Sequence, residues 1–182
     1  PSQFMENWCW EPEGLALISG HYESGEALPQ DLLEKMLAAK NFQSGLMMVR
    51  QLEFSLFDFE LHATHGDGRS AAQVLEGVRD EVSVMRPPAY NRFPNSFAHI
   101  FAGGYAAGYY SYKWAEVLSA DAFSKFEEDG VLNAETGRAF REAILARGGS
   151  QEPMVLFVDF RGRAPSIDAL LRHSGLSEGA AA

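Results

Sequence analysis

Cysteine is nearly absent: Cys9 is the single one in 182 residues. Neither an internal disulfide nor a multi-cysteine zinc site can form from one thiol, and a reducing compartment, the cytoplasm, is the natural expectation. Cys9 lies between Trp8 and Trp10, so it reads as a packing thiol rather than a nucleophile. Positive charge is scarce: fifteen Lys and Arg stand against twenty-five Asp and Glu, a net charge of −10. A groove for nucleic acid needs clustered cations, and this balance argues against one. Long apolar runs are missing too. The longest stretch without Asp, Glu, Lys or Arg is Phe93 to Tyr112, 20 residues. Its Pro94, Asn95, Ser96, His99, three glycines and four tyrosines make it too polar for lipid, so no membrane partner is expected. Pro1-Ser2-Gln3-Phe4 carries neither an initiator Met nor the basic and apolar regions of a signal peptide. The chain is expected to be a piece of something longer.

Several catalytic signatures are missing as well. There is no Gly-x-Ser-x-Gly elbow, no phosphate loop and no His-Glu-x-x-His helix. The only close histidine pair is His62 and His65, and no carboxylate at a helical offset closes a metal site around it. Gly103, Gly104 and Gly108 have the wrong spacing for a dinucleotide fingerprint, and no strand precedes them.

What the chain does have is a hydrophobic fraction of 46% and helical periodicity along most of its length. The spacing predicts a helical segment over 2–19, bent near Pro12, and a second helix opened by Pro29. The pattern runs on from Asn41 to about His62 and resumes from Ala71 to Met85. Residues 88–104 read as loop, 105–128 as one long helix, and 134–146, 152–160 and 165–173 as three shorter helices. Pro153 to Val158 is the one strand-like run. The class is all-α. Residues 1–176 are expected to form one helical portion and 177–182 a flexible tail. Glu127-Glu128-Asp129 reads as a solvated helix end, and Arg161-Gly-Arg163 as a capping turn.

The tyrosines carry the chemistry. On a helix, Tyr105, Tyr109 and Tyr112 stand at i, i+4 and i+7, which puts three phenols on one face, while Tyr110 and Trp114 point elsewhere and read as packing. A neutral phenol, with a pKa of about 10, donates a hydrogen bond to a developing oxyanion while keeping its proton at neutral pH. His99, in the loop beside the Gly103-Gly104 hinge, is placed to orient a substrate or to donate to the same charge. These residues offer donors for a tetrahedral intermediate, but no metal, base or nucleophile that creates one. The same face also suits ordinary core packing.

At these residues the chain resembles the thimet oligopeptidase, oligopeptidase A and peptidyl-dipeptidase family of zinc metallopeptidases. The resemblance rests on Pro1 to Trp8 (PSQFMENW), His99 to Trp114 (HIFAGGYAAGYYSYKW), Phe126 to Gly130, Arg147-Gly-Gly-Ser150 and Phe160-Arg-Gly-Arg163. It implies a mostly helical, clam-like peptidase whose channel admits short unstructured peptides. It also implies zinc held by two histidines of a His-Glu-x-x-His helix and a later glutamate, all upstream of Pro1. No zinc is then expected on this chain alone, which is expected to be inactive by itself. In the parent, the resemblance implies, zinc would polarise the carbonyl and activate water. The resemblance further implies that Tyr112 donates to the oxyanion and that His99 supports it. Tyr105, Gly103, Gly104 and Tyr109 are implied to hold the substrate main chain. Expected partners are short peptides and the upstream zinc-bearing part of the same protein. Self-association is expected too, through apolar surface exposed by the missing part. The alternative is a non-catalytic helical peptide-binding or interaction module using the same tyrosine face.

Overall fold

The computed structural model describes residues 1–177, and among them every regular element is helical. In chain order these are α1 (Ser2–Glu6), a 3-10 turn (Asn7–Trp10), α2 (Pro12–Ile18), α3 (Gln30–Lys40), α4 (Ser44–Ala63), α5 (Ala71–Val82), α6 (Phe93–Ser96), α7 (Ala98–Phe101), α8 (Ser111–Asp129), α9 (Ala134–Phe140), a π turn (Arg141–Leu145), α10 (Pro153–Arg161) and α11 (Asp168–His173). No helix among them is long and apolar enough to cross a membrane. The tail expected over 177–182 lies outside the described residues, apart from Ser177.

Several boundaries differ from the periodicity, each for a local reason. The first helical segment is broken, not bent: Glu11, which precedes Pro12, is extended at φ −96° and ψ 132°, as the steric demand of a following proline requires. Gln43 takes a left-handed φ of 56°, so α4 starts at Ser44 instead of continuing from Asn41. α5 ends at Val82, before Met85, because Ser83 turns extended. Its start is well specified by a capping box: Ser70 Oγ accepts from the Gln73 N–H at 3.3 Å, and Gln73 Oε1 accepts from the Ser70 N–H at 2.8 Å. The expected 88–104 loop contains two single turns of helix, α6 and α7. The strand-like run 153–158 is helical, opened by Pro153 at N1 and closed by Gly162 at φ 77°.

The chain divides into two compact units. One comprises Pro1–Phe42 together with the chain from Ala115 onward; the other is Gln43–Trp114. The first is built on a phenylalanine core of Phe4, Phe123, Phe126, Phe140, Phe157 and Phe160. Phe4 stacks on Phe140 with ring centroids 4.0 Å apart. Trp8 meets Phe123 and Phe126 edge-on, and its indole N–H donates to the Val131 carbonyl at 2.7 Å.

The polar side of this unit departs from the sequence reading. Asp121 is only 1% exposed, yet it faces three donors. Arg163 reaches its two oxygens at 2.7 and 2.5 Å, and the Ser166 N–H donates at 2.6 Å. Arg161 bonds the Asp121 carbonyl at 3.0 Å and the Ser124 hydroxyl at 2.8 Å. Burial alone raises the Asp121 carboxyl, but these hydrogen bonds and the two guanidinium charges outweigh it and hold it below the ordinary range. Arg161 and Arg163 are therefore structural ion partners, not a solvated capping turn. The acidic run is likewise engaged: Glu127 accepts from Arg172 and from His173, the latter at 2.7 Å, and Glu128 pairs with Arg161.

Burial pushes the Glu127 carboxyl up, but the bonds from His173 and Arg172 prevail and bring it down to about 2. A carboxyl depressed in the folded state stabilises fully above its ordinary value of about 4.5, and that contribution drains away as pH falls toward 2. Glu127→Gln is expected to cost at most about 3 kcal/mol near neutral pH. Denaturant titrations of both proteins at about pH 7 and about pH 3 check this, with the gap narrowing by about 2 kcal/mol at the acid end. A gap that does not move with pH refutes it.

In the second unit, α4 and α5 pack through Phe57, Val74 and Leu75, with Phe97, Ile100 and Tyr109 completing the core. A buried ion network crosses them: Arg79 donates to Glu53 at 2.9 Å and Arg50 donates to the same oxygen at 2.7 Å. The Arg50 guanidinium lies 4.3 Å from the Phe54 ring centroid. This core fixes the platform on which the tyrosine segment rests.

Candidate functional site

Tyr105 and Tyr109 do not lie on a helix. α8 begins at Ser111, and residues 105–110 form a turn in which Ala107 is left-handed at φ 55°. The one-face argument from i, i+4 and i+7 spacing therefore fails for the segment that carries two of the three phenols. Gly104 and Gly108 lie in the same irregular stretch.

The rings nonetheless meet. Tyr105 stacks on Tyr112 with centroids 5.1 Å apart and an interplanar angle of 28°. Tyr109 lies 5.1 Å from Tyr112. His99, on the single turn α7 instead of a loop, stands 5.9, 5.6 and 6.0 Å from Tyr105, Tyr109 and Tyr112. His99 is exposed, Tyr105 is 38% exposed and Tyr109 is buried. Tyr110 and Trp114, read as packing, are instead exposed at 53% and 44%. Cys9 is exposed too, against its reading as a buried thiol.

The glycine pair is what lets the turn close over His99. The Tyr105 N–H donates to the His99 carbonyl at 3.0 Å. A Cβ on Gly103 would stand 2.9 Å from that carbonyl oxygen and 3.1 Å from the His99 Cα, and both are backbone atoms. Gly104 follows at φ 78°, a conformation that suits glycine.

The three phenols are not equivalent. Tyr109 is half-anchored, its hydroxyl donating to Gln51 Oε1 at 3.1 Å, and burial raises its pKa. For Tyr112, a hydrogen bond to the Tyr105 hydroxyl raises the pKa first, with burial adding to it. A phenol held above its ordinary value stays protonated through neutral pH, the state needed to donate a hydrogen bond.

Sequence reasoning missed the residue beneath this turn. Asp58 on α4 is 1% exposed, and its carboxylate accepts from the Ala107 N–H at 2.9 Å and from the Tyr109 N–H at 2.9 Å. His62 Nδ1 stands 3.1 Å from the same carboxylate and 2.7 Å from the Asp58 carbonyl. Both neighbours of that nitrogen are acceptors, so it carries the proton. The available signal was a lone acid inside the apolar run Phe54 to Phe59. A left-handed alanine costs about 1–2 kcal/mol, and the two charge-assisted bonds offset it.

Among the described residues no group of three or more His, Cys, Asp or Glu side chains could hold a metal ion. With His62 committed to Asp58, the described residues do not fit a zinc site.

Peptidase family M3 matches residues 1–176. The chain belongs to that family. It is 61% identical over 178 residues to oligopeptidase A of Salmonella typhimurium, covering 97% of this chain and 26% of the relative. Oligopeptidase A of Escherichia coli is 62% identical over the same length, with the same coverage. The dipeptidyl carboxypeptidase of Escherichia coli is 39% identical over 184 residues, again covering 97% and 26%. The chain therefore spans about a quarter of the length of these relatives.

Proposed function

We propose that this chain is the phenol-bearing part of a zinc-dependent oligopeptidase that hydrolyses peptide bonds in short peptides. The observation that carries the reading is the convergence of His99, Tyr105, Tyr109 and Tyr112 in one partly exposed cluster, in a chain of the peptidase family. Zinc is the parent's cofactor, held by residues outside this chain, and supplies Lewis-acid chemistry there. The residues here do the rest of the electrostatic work. Tyr112, kept protonated, donates to the carbonyl oxygen of the scissile bond as negative charge gathers on it. His99, next to it, orients the same group or donates to it. Tyr105, swung on Gly103 and Gly104, hydrogen-bonds the substrate main chain, and Tyr109 lines the same surface. Binding through main-chain groups suits extended peptides and leaves side-chain preference to other parts of the protein.

The test is hydrolysis of short, unstructured peptides by the full-length enzyme and its Tyr105→Phe variant. Loss of one substrate hydrogen bond is expected to raise KM about five- to tenfold, with kcat moved less. Peptide binding without any turnover in the full-length protein would establish the non-catalytic peptide-binding module instead.

A further inference from the structure

We propose that Asp58 is the positioning residue that sets the geometry of the phenol cluster; this rests on the proposed role of Tyr112. The cluster is carried by two kinds of structure. Tyr112 sits in the first turn of α8, whereas Tyr105 and Tyr109 belong to the irregular turn that precedes it. Within that turn the backbone bonds are Tyr105 N–H to the His99 carbonyl at 3.0 Å and Gly108 N–H to the Tyr105 carbonyl at 2.8 Å. The Gly108, Tyr109 and Tyr110 carbonyls accept from the Ser111, Tyr112 and Trp114 N–H groups of α8, and the Tyr109 side chain enters the core and reaches Gln51. The backbone N–H groups of the turn are tied to the core by the Asp58 carboxylate: one oxygen takes the Ala107 N–H and the other takes the Tyr109 N–H, both at 2.9 Å.

Bonding two alternate N–H groups from one planar carboxylate fixes the intervening Gly108 peptide in orientation as well as position. It also stabilises the left-handed Ala107, the one residue in the turn whose conformation an unrestrained chain would avoid. The carboxylate is itself held from the other side by His62 Nδ1 at 3.1 Å. Asp58 is buried beneath the turn and bonds its backbone N–H groups, so it acts through the backbone. Its removal lets the turn relax, which shifts Tyr105 against Tyr112 and moves the donor that Tyr112 presents.

Full-length enzyme carrying Asp58→Asn tests this. The amide can accept from one N–H but offers its own N–H to the other, so one bond becomes a repulsion. A kcat lower by about ten- to a hundredfold, with KM within a few-fold, is expected from ångström-scale misplacement. A purely structural role would also lower kcat in any background, so the decisive readout is coupling. In enzyme already carrying Tyr112→Phe, Asp58→Asn should lower kcat no further. Ala107→Gly, which removes the cost of the left-handed turn, should recover part of the loss in Asp58→Asn. Full additivity with Tyr112→Phe, or an unchanged kcat in Asp58→Asn, overturns the proposal. If Tyr112→Phe is itself fully active, the functional reading fails instead. Hydrogen exchange of the wild-type enzyme then still decides the tie, and it also serves if Asp58→Asn does not fold. The Ala107 and Tyr109 amides should exchange far more slowly than an unbonded amide of the same turn, and equal rates would rule out the anchor.

Discussion

Tyr112→Phe in the full-length enzyme is expected to lower kcat about a hundred- to a thousandfold, while KM stays within about threefold. The two rings are nearly isosteric, so the contacts with Tyr105, Tyr109 and His99 survive and only the hydroxyl is lost. That hydroxyl carries a proton bound more tightly than an ordinary phenol, because its bond to Tyr105 favours the neutral form. A neutral donor interacts weakly with a ground-state carbonyl and strongly with an oxyanion, which puts its contribution in the transition state. The expected split is therefore in kcat. The alkaline limb of the pH profile offers a second check: activity that depends on this proton falls only above the ordinary phenol range, and Tyr112→Phe removes that limb. An unchanged kcat in steady-state assays removes Tyr112 from the chemistry.

The second large effect concerns stability. Asp121→Ala is expected to lower the unfolding free energy by about 3–5 kcal/mol. The carboxylate is 1% exposed and answers two guanidinium groups and one backbone N–H. Taking it away leaves Arg161, whose side chain is 7% exposed, with its charge in a buried place and one fewer anion to face. The same substitution frees the Ser166 N–H ahead of α11. Urea unfolding reads this as a lower midpoint at an unaltered slope. Asp121→Asn, which keeps the shape and part of the bonding, should fall between the two. A loss below about 1 kcal/mol would place the network among surface ion pairs.

Much of the fold was legible because helices announce themselves by spacing and by their ends. The stripes that became α4 and α5 were read from spacing, while the α5 capping box and the Pro153 and Gly162 ends of α10 are equally local signals that went unread. What spacing could not reveal was where a helix-compatible pattern is overruled from a distance. Tyr105 to Tyr110 is compatible with helix, but Asp58, about fifty residues earlier, captures the Ala107 and Tyr109 N–H groups and makes a turn of it. The tyrosines grouped by spacing do lie together, but spacing alone is an incomplete reason for it. Local periodicity suggested three phenols on one face, and a long-range carboxylate assembles them by another path. Arg161 and Arg163 illustrate the same limit. Two arginines around a glycine look solvated until Asp121, some forty residues away, is seen buried between them. Cys9 erred the other way, since apolar neighbours in sequence do not guarantee that the thiol between them faces inward.

The placement of the indoles has a consequence for spectroscopy. Trp8 is wedged among Phe4, Phe123 and Phe126 with its N–H bonded to the Val131 carbonyl, while Trp10 lies under the Lys40 ammonium at 5.2 Å. Both belong to the unit built on the phenylalanine core, and Trp114 alone belongs to the unit that carries the phenols. Each compact unit thus contains its own intrinsic fluorophore. Replacing Trp114 leaves emission that reports one unit, and replacing Trp8 and Trp10 leaves emission that reports the other, without attaching any dye.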